Sequence, residues 1–449
     1  MAFIEFPKEI KWGVATASYQ IEGAAFEDGR GASIWDTFSR TPGKIKNGDN
    51  GDIACDSYHR YEEDIQMMKE LGIDIYRFSI SWPRIFPTGT GEVNQAGLNY
   101  YHNLVDCLRA NQIEPMCTLY HWDLPQVLQD QGGWANRETI EAFAHYAEQM
   151  FREFNGKITK WITINEPWCI SFLSNFIGEH APGNHDLQLA TTISHHLLVA
   201  HGRAVTKFRS LGIKGIIGYA PNLEWFEPFS NKKEDIEACN RGMAWFIEWF
   251  MDPVFKGSYP EFLVEWFENK GVSLQIEDGD WDQINQTIDF IGINYYTGSV
   301  GRYKQGAELF DLEKIDIHYE KTDIGWNIYP QGFYKALKKL TSQYNRIPIY
   351  ITENGACYND GVLHGRVHDI NRIKYLEQHL TSLKRAIDSG VNIKGYLTWS
   401  LLDNFEWAEG YDKRFGLVHI DFQTLRRTKK DSYFWYEKMI RHNGFHIGQ

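Results

Sequence analysis

The chain has 449 residues, 43% hydrophobic and 23% charged, which supplies a large buried core and argues against global disorder. With 46 Lys and Arg against 59 Asp and Glu, its net charge is −13. That balance lacks the electrostatic footprint of a nucleic-acid binder and disfavours anionic membranes and polyanionic substrates, so a neutral partner fits best.

Short apolar or β-branched runs recur at 12–16, 75–80, 115–120, 161–164, 215–219, 290–294, 348–352 and 394–399. Each reads as a buried strand. Amphipathic segments lie between them. One carries Tyr58, Tyr61, Ile65, Met68 and Leu71 and stops at Gly72. Others carry Leu98, Tyr101, Val105 and Leu108; Ile140, Phe143, Ala147, Met150 and Phe154; and Ile373, Leu376, Leu380, Leu383 and Ile387. These stripes of period near 3.6 suit helices packed on a sheet.

Alternating strand and helix predicts βαβ crossovers and a parallel sheet. Eight such units predict a single (β/α)₈ TIM barrel over 1–449, with the excess length in extended βα loops. An open doubly wound sheet is the alternative, but it requires an early phosphate-binding glycine turn that the chain lacks. No linker, repeat or low-complexity tract divides the sequence. The six cysteines are scattered, with no CxxC pair, and read as reduced, mostly buried thiols. With no secretory leader pattern and no long apolar run, a soluble cytoplasmic protein is expected. A homo-oligomer is compatible with all of this.

In a barrel, function gathers at the C-terminal ends of the strands. The fourth run ends Ile164-Asn165-Glu166-Pro167 and the seventh ends Ile351-Thr352-Glu353-Asn354-Gly355. Each places a glutamate just beyond a buried strand. Pro167 cannot donate to a ladder, and Gly355 allows a sharp turn. Two carboxylates converging on one mouth match the needs of glycoside hydrolysis, where one attacks the anomeric carbon and the other protonates the leaving oxygen. The 16 tryptophans agree with a ligand that has both flat apolar faces and hydroxyls.

Those two motifs resemble the active-site motifs of the glycoside hydrolase family 1 β-glucosidases. So does the opening, Phe6-Pro7 followed by Trp12-Gly13-Val14-Ala15-Thr16-Ala17-Ser18-Tyr19-Gln20-Ile21-Glu22-Gly23. The resemblance implies a retaining enzyme that releases terminal β-glucosyl residues, and that accepts β-galactosides and short cello-oligosaccharides as well. It implies Glu166 as acid/base and Glu353 as nucleophile. Arg77 and Tyr296 match the groups that hold the nucleophile, and Asn165 and Asn294 match side chains near the sugar 2-hydroxyl. Gln20, His121, Trp122, Glu406 and Trp407 match glycone-binding positions, Trp399 the stacking platform, and Trp326 the aglycone-side aromatic. Cys169, His180 and Asn222 fall at more variable positions on that side.

Some relatives act on 6-phosphoglycosides, with a serine in place of Glu406 and a lysine and a tyrosine nearby. Here Lys413 is present, but Glu406 is acidic and Phe415 lacks a hydroxyl, so unphosphorylated sugars such as β-glucosides or cellobiose are expected. The implied mechanism needs no cofactor and no metal. His195, His196 and His201 lack the spacing of a helical zinc site and read as polar helix residues. A 6-phospho-β-glucosidase and a catalytically silent carbohydrate-binding barrel are the competing readings.

Overall fold

The computed structural model describes residues 3–448. Its frame is eight strands: β1 (Lys11–Ala15), β2 (Ile75–Ser79), β3 (Glu114–Tyr120), β4 (Lys160–Asn165), β5 (Ile216–Ala220), β6 (Ile291–Tyr303), β7 (Ile349–Asn354) and β8 (Ile393–Trp399). They are ordered β5-β4-β3-β2-β1-β8-β7-β6, with every adjacent pair parallel. Both faces are covered, which is why the runs read as continuously apolar; β2 and β7 are buried along their whole length. The doubly wound alternative is excluded, and the fold is the (β/α)₈ barrel.

The barrel closes between β5 and β6. Asp289 N donates to Ile217 O at 2.9 Å, and Asn294 N donates to Pro221 O at 3.1 Å. The chain then runs through Pro221 into a further strand, Asn222–Pro228, which pairs parallel with the upper part of β6. Only glycine fits at position 218 of this seam, because a Cβ there would lie 2.1 Å from Phe290 O.

The outer layer includes α1 (Ser57–Leu71), α2 (Gln95–Ala110), α3 (Glu138–Glu153), α4 (Leu187–Ser210), α5 (Pro330–Gln343), α6 (Ile370–Asp388) and α7 (Asp431–His442). The four predicted stripes are α1, α2, α3 and α6, although Tyr61 and Ile387 are only half-buried. Gly72 ends α1 with φ 77°, its N–H donating to Met68 O and Lys69 O, as a left-handed cap does. The predicted strand 290–294 is only the root of a 13-residue strand. Its outer half pairs with Leu312–Ile315 beyond the barrel.

The three histidines of α4 are buried and bound to protein groups. His195 contacts Tyr259 Oη at 3.0 Å and Asp280 at 2.9 Å, His196 contacts Trp134 O at 2.8 Å, and His201 contacts Thr163 at 2.7 Å. All six cysteines are free thiols, five of them buried and Cys107 half-buried. Among the described residues no helix is long and apolar enough to cross a membrane.

Candidate active site

The C-terminal ends of the strands open into a cleft of about 420 Å³. Glu166 and Glu353 both line it, together with His121, Trp122, Tyr296, Trp326, Trp399, Glu406, Trp407 and Phe415. Gln20, Arg77, Asn165 and Asn294 stand just behind that wall and are fully buried. Every residue that the resemblance assigns to catalysis or sugar binding therefore lies in the cleft or directly against it.

Glu166 leaves β4 with φ 48°, a left-handed backbone that is costly for a residue with a Cβ. Its N–H donates to Ala220 O at 2.7 Å, and its carbonyl accepts from Cys169 N at 2.9 Å. The chain thus turns at once into the helix Cys169–Ile177, with Trp168 stacked 4.3 Å from Phe246. Trp122 and Trp407 also have positive φ, 83° and 51°.

Glu353 is the penultimate residue of β7, opposite Asn294 of β6. The turn after it depends on Gly355, though not through backbone handedness. A Cβ at Gly355 would lie 1.7 Å from Trp399 O, so glycine is required there because β8 passes so close.

One hydrogen-bonded chain joins the two carboxylates. Arg77 Nη1 donates to Glu353 Oε1 at 2.5 Å, and Nη2 donates to Asn165 Oδ1 at 2.6 Å. Tyr296 Oη donates to Glu353 Oε2 at 2.6 Å. Asn294 Nδ2 donates to Asn165 Oδ1 at 3.0 Å and to Glu166 Oε1 at 2.7 Å, while its own Oδ1 accepts from Thr352 Oγ1 at 2.7 Å. Asn165 Nδ2 then faces His121 Nε2 at 3.1 Å. With Asn165 Oδ1 already receiving two donors, Nδ2 must donate. His121 thus carries its proton on Nδ1, which has no protein partner among the described residues. Burial, and then the Arg77 charge, hold this imidazole well below its usual pKa and keep it neutral.

The two carboxyls differ in electrostatic setting. Burial, and then the charge of Glu353, push Glu166 upward. Burial also raises Glu353, but Arg77 and the Tyr296 hydroxyl oppose it. A single shared proton accordingly belongs on Glu166. Glu406 is a third buried carboxyl, pushed up to about 8 by burial and then by Glu353 and Glu166. Its closest side-chain donor is Gln20 Nε2, at 3.4 Å. Gln20 Oε1 is buried without a protein partner among the described residues. Lys413 turns away from the cleft and donates to Asp323 O at 2.7 Å.

Trp399 and His121 lie nearly parallel, with ring centroids 5.7 Å apart, and Trp407 packs 4.6 Å from Trp122. Toward the mouth, Trp326 leans on Tyr296 and Phe415. Cys169, His180 and Asn222 also line the cleft, as do residues that sequence patterns do not single out: Trp168, Glu179, Glu224, Phe246, Lys314 and Glu409. Lys314 pairs with Glu224 at 2.8 Å. These side chains come from the connections after the strands, where no local pattern marks them.

The sequence model of glycosyl hydrolase family 1 matches residues 3–445. The chain is 51% identical to β-glucosidase A of Acetivibrio thermocellus, over 99% of this chain and 100% of that one. It is 48% identical to β-glucosidase A of Thermotoga maritima, over 98% of each. The solved structure of the Thermotoga maritima family 1 β-glucosidase superposes with a TM-score of 0.96 at 47% identity, over 99% of this chain and 100% of that one. The same enzyme in complex with isofagomine lactam gives 0.95 at 48% identity, again over 99% and 100%. With that match along nearly its whole length, and with paired glutamates at the ends of β4 and β7, the chain belongs to glycosyl hydrolase family 1.

Proposed function

We propose that this protein is a retaining β-glucosidase that hydrolyses terminal β-D-glucosyl residues by double displacement. The observation that carries this reading is the asymmetric carboxyl pair: Glu353 bound to a buried guanidinium, Glu166 bound to none. In the first step ionised Glu353 attacks the anomeric carbon while protonated Glu166 gives its proton to the leaving oxygen. The product is a glucosyl ester of Glu353. Esterification removes the negative charge that held Glu166 protonated, so Glu166 can take a proton from the incoming water. Two inversions restore the starting configuration.

The surrounding groups fit a glucosyl unit. The Trp399 face lies beneath the ring, and Trp122 and Trp407 close its side. His121 Nδ1–H, Gln20 and Glu406 are available to the hydroxyls, and Asn165 and Asn294 sit beside the pair at the 2-hydroxyl. Trp326 and Phe415 offer an apolar wall to the aglycone. Gln20 and Glu406 act near the 4-hydroxyl, and acceptance of β-galactosides and short cello-oligosaccharides fits that arrangement. The phosphate-handling alternative is opposed by Glu406 in the cleft and by Lys413 outside it.

Hydrolysis of a chromogenic β-glucoside, with the first-formed anomer followed by NMR, tests the reading. β-Glucose should appear first. Glu353→Gly should abolish turnover, and azide should restore it with formation of the α-glucosyl azide. Saturable binding of glucose without turnover would instead support a silent barrel.

A further inference from the structure

The two oxygens of Glu166 have different donors. Oε1 receives Asn294 Nδ2, an amide fixed at its other end by Thr352. Oε2 faces the thiol of Cys169, with Sγ 3.1 Å away. Among the described residues no other side chain donates to Oε2. From this geometry we infer that Cys169 is a positioning residue for Glu166, donating its thiol hydrogen to Oε2 when the carboxylate has lost its proton. The inference rests on the reading of Glu166 as acid/base.

The backbone holds the pair together. Cys169 is the first residue of the helix Cys169–Ile177, and its N–H donates to the carbonyl of Glu166. The side chains three residues apart then lie on one face of that turn. Cys169 is only 6% exposed, yet it lines the cleft, so its thiol meets Glu166 inside a largely dry site.

A thiol suits a group that changes charge within each turnover. Before the reaction the Glu166 proton belongs on Oε2, because Oε1 already accepts from an amide whose hydrogens cannot move. Against that O–H the sulfur can rotate and act as a weak acceptor. After the proton passes to the leaving oxygen, Oε2 is anionic, and the thiol turns its hydrogen toward it. The bond thus favours the ionised form and keeps Oε2 aimed at the position of the incoming water. Cys169 forms no covalent bond and keeps its own proton. Burial, and then the charge of Glu166, hold the thiol well above its ordinary range.

The other groups facing Glu166 come from several elements. Arg77 is on β2, Asn294 and Tyr296 on β6, Glu353 on β7, and Glu406 follows β8. Of these, Asn294 alone hydrogen-bonds the Glu166 carboxyl. Their charges set where Glu166 titrates in every variant alike, so a change confined to residue 169 reads the thiol.

The test is the pH dependence of kcat/KM for an alkyl β-glucoside, whose poor leaving group requires the acid. The native protein, Cys169→Val and Cys169→Ser are compared. Valine fills the space without a donor, and serine restores one. The basic limb should rise by about half a pH unit in Cys169→Val and return toward the native position in Cys169→Ser. With 2,4-dinitrophenyl β-glucoside, where the second step limits, kcat should fall severalfold in the valine variant and recover with serine. A basic limb in the same place for all three proteins overturns the inference, as does equal behaviour of valine and serine. If Cys169→Val does not fold, Cys169→Ala gives the same comparison. Failure of the underlying reading looks different: Glu166→Gln would then retain a basic limb.

Discussion

Arg77 and Glu353 form an ion pair sealed from solvent, the guanidinium fully buried and the carboxylate nearly so. Removing one member of such a pair strands the other without compensation, at about 3–5 kcal/mol. Arg77→Met should lower kcat/KM by about 10²–10³-fold. Because Arg77 opposes the rise that burial imposes on Glu353, its loss lets Glu353 titrate higher. The acidic limb of the profile, where Glu353 must be ionised, should therefore move to higher pH. An unmoved acidic limb would show that the guanidinium does not set the ionisation of Glu353.

The partner experiment removes the charge on Glu353. The negative field of Glu353 raises both Glu166 and Glu406, in each case after burial. In Glu353→Gln both should titrate lower, Glu166 by about one pH unit or more. Titration of carboxyl-¹³C-labelled glutamates by NMR measures this directly. An unchanged Glu166 would remove the coupling on which the two-step scheme depends.

Glu166→Gln keeps the shape of the side chain and removes the proton donor. Substrates with poor leaving groups should lose about 10²–10⁴-fold in the first step, the usual contribution of a positioned acid. The 2,4-dinitrophenyl glucoside, whose leaving group needs little help, should show a nearly native burst of product. Pre-steady-state absorbance separates these cases. Equal losses on good and poor leaving groups would argue for a merely structural role.

Glu406 faces the cleft while Lys413 is bound elsewhere, to Asp323 O. A phosphate dianion on the sugar would meet the Glu406 carboxyl, while Lys314 on the cleft wall is held by Glu224. The ratio of kcat/KM for 4-nitrophenyl β-glucoside over its 6-phosphate should exceed about 10³, equivalent to about 4 kcal/mol of discrimination. Comparable rates on the two substrates would mean that another group neutralises the phosphate.

Gly355 lies against the backbone of β8, where an added methyl would sit 1.7 Å from Trp399 O. Backbone cannot rotate aside as a side chain can. Gly355→Ala should cost about 3 kcal/mol of stability and should also impair catalysis, because β7 and β8 carry Glu353 and Trp399. Chemical denaturation and steady-state kinetics on the same preparation check both effects. Native stability would show that the two strands can separate at this point at little cost.

The barrel and the centre of its site are legible in the sequence because the same constraint shapes both. A strand buried on both faces must be apolar throughout, so a polar residue at its end stands out, as Asn165-Glu166 and Glu353-Asn354 do. The roles of Arg77, Gln20 and Glu406 come through resemblance; a buried Arg inside an apolar run is the only local sign of the first. The strand Asn222–Pro228 and the outer half of β6 are not legible, because their burial is uneven and their pairing forms beyond the barrel. The rim residues Glu179, Glu224, Lys314 and Glu409 escape for a related reason. They sit on irregular connections or outlying strands, and only the tertiary path of the chain brings them to one opening. Gly355 stands out in the sequence as a turn residue, whereas its structural requirement is the close approach of β8.

The closure between β5 and β6 is made by few backbone bonds, and they lie beside the chemistry. Asn294 N is one donor across it, and Glu166 N bonds the last residue of β5. The amide chain from Asn294 to Glu166 therefore crosses the least stitched join in the cylinder. Local parting of that join would displace the proton donor while the remaining strands and the helices stayed paired. Loss of activity on heating should accordingly precede the loss of helical ellipticity, with amide exchange near Pro221 and Asn294 rising first.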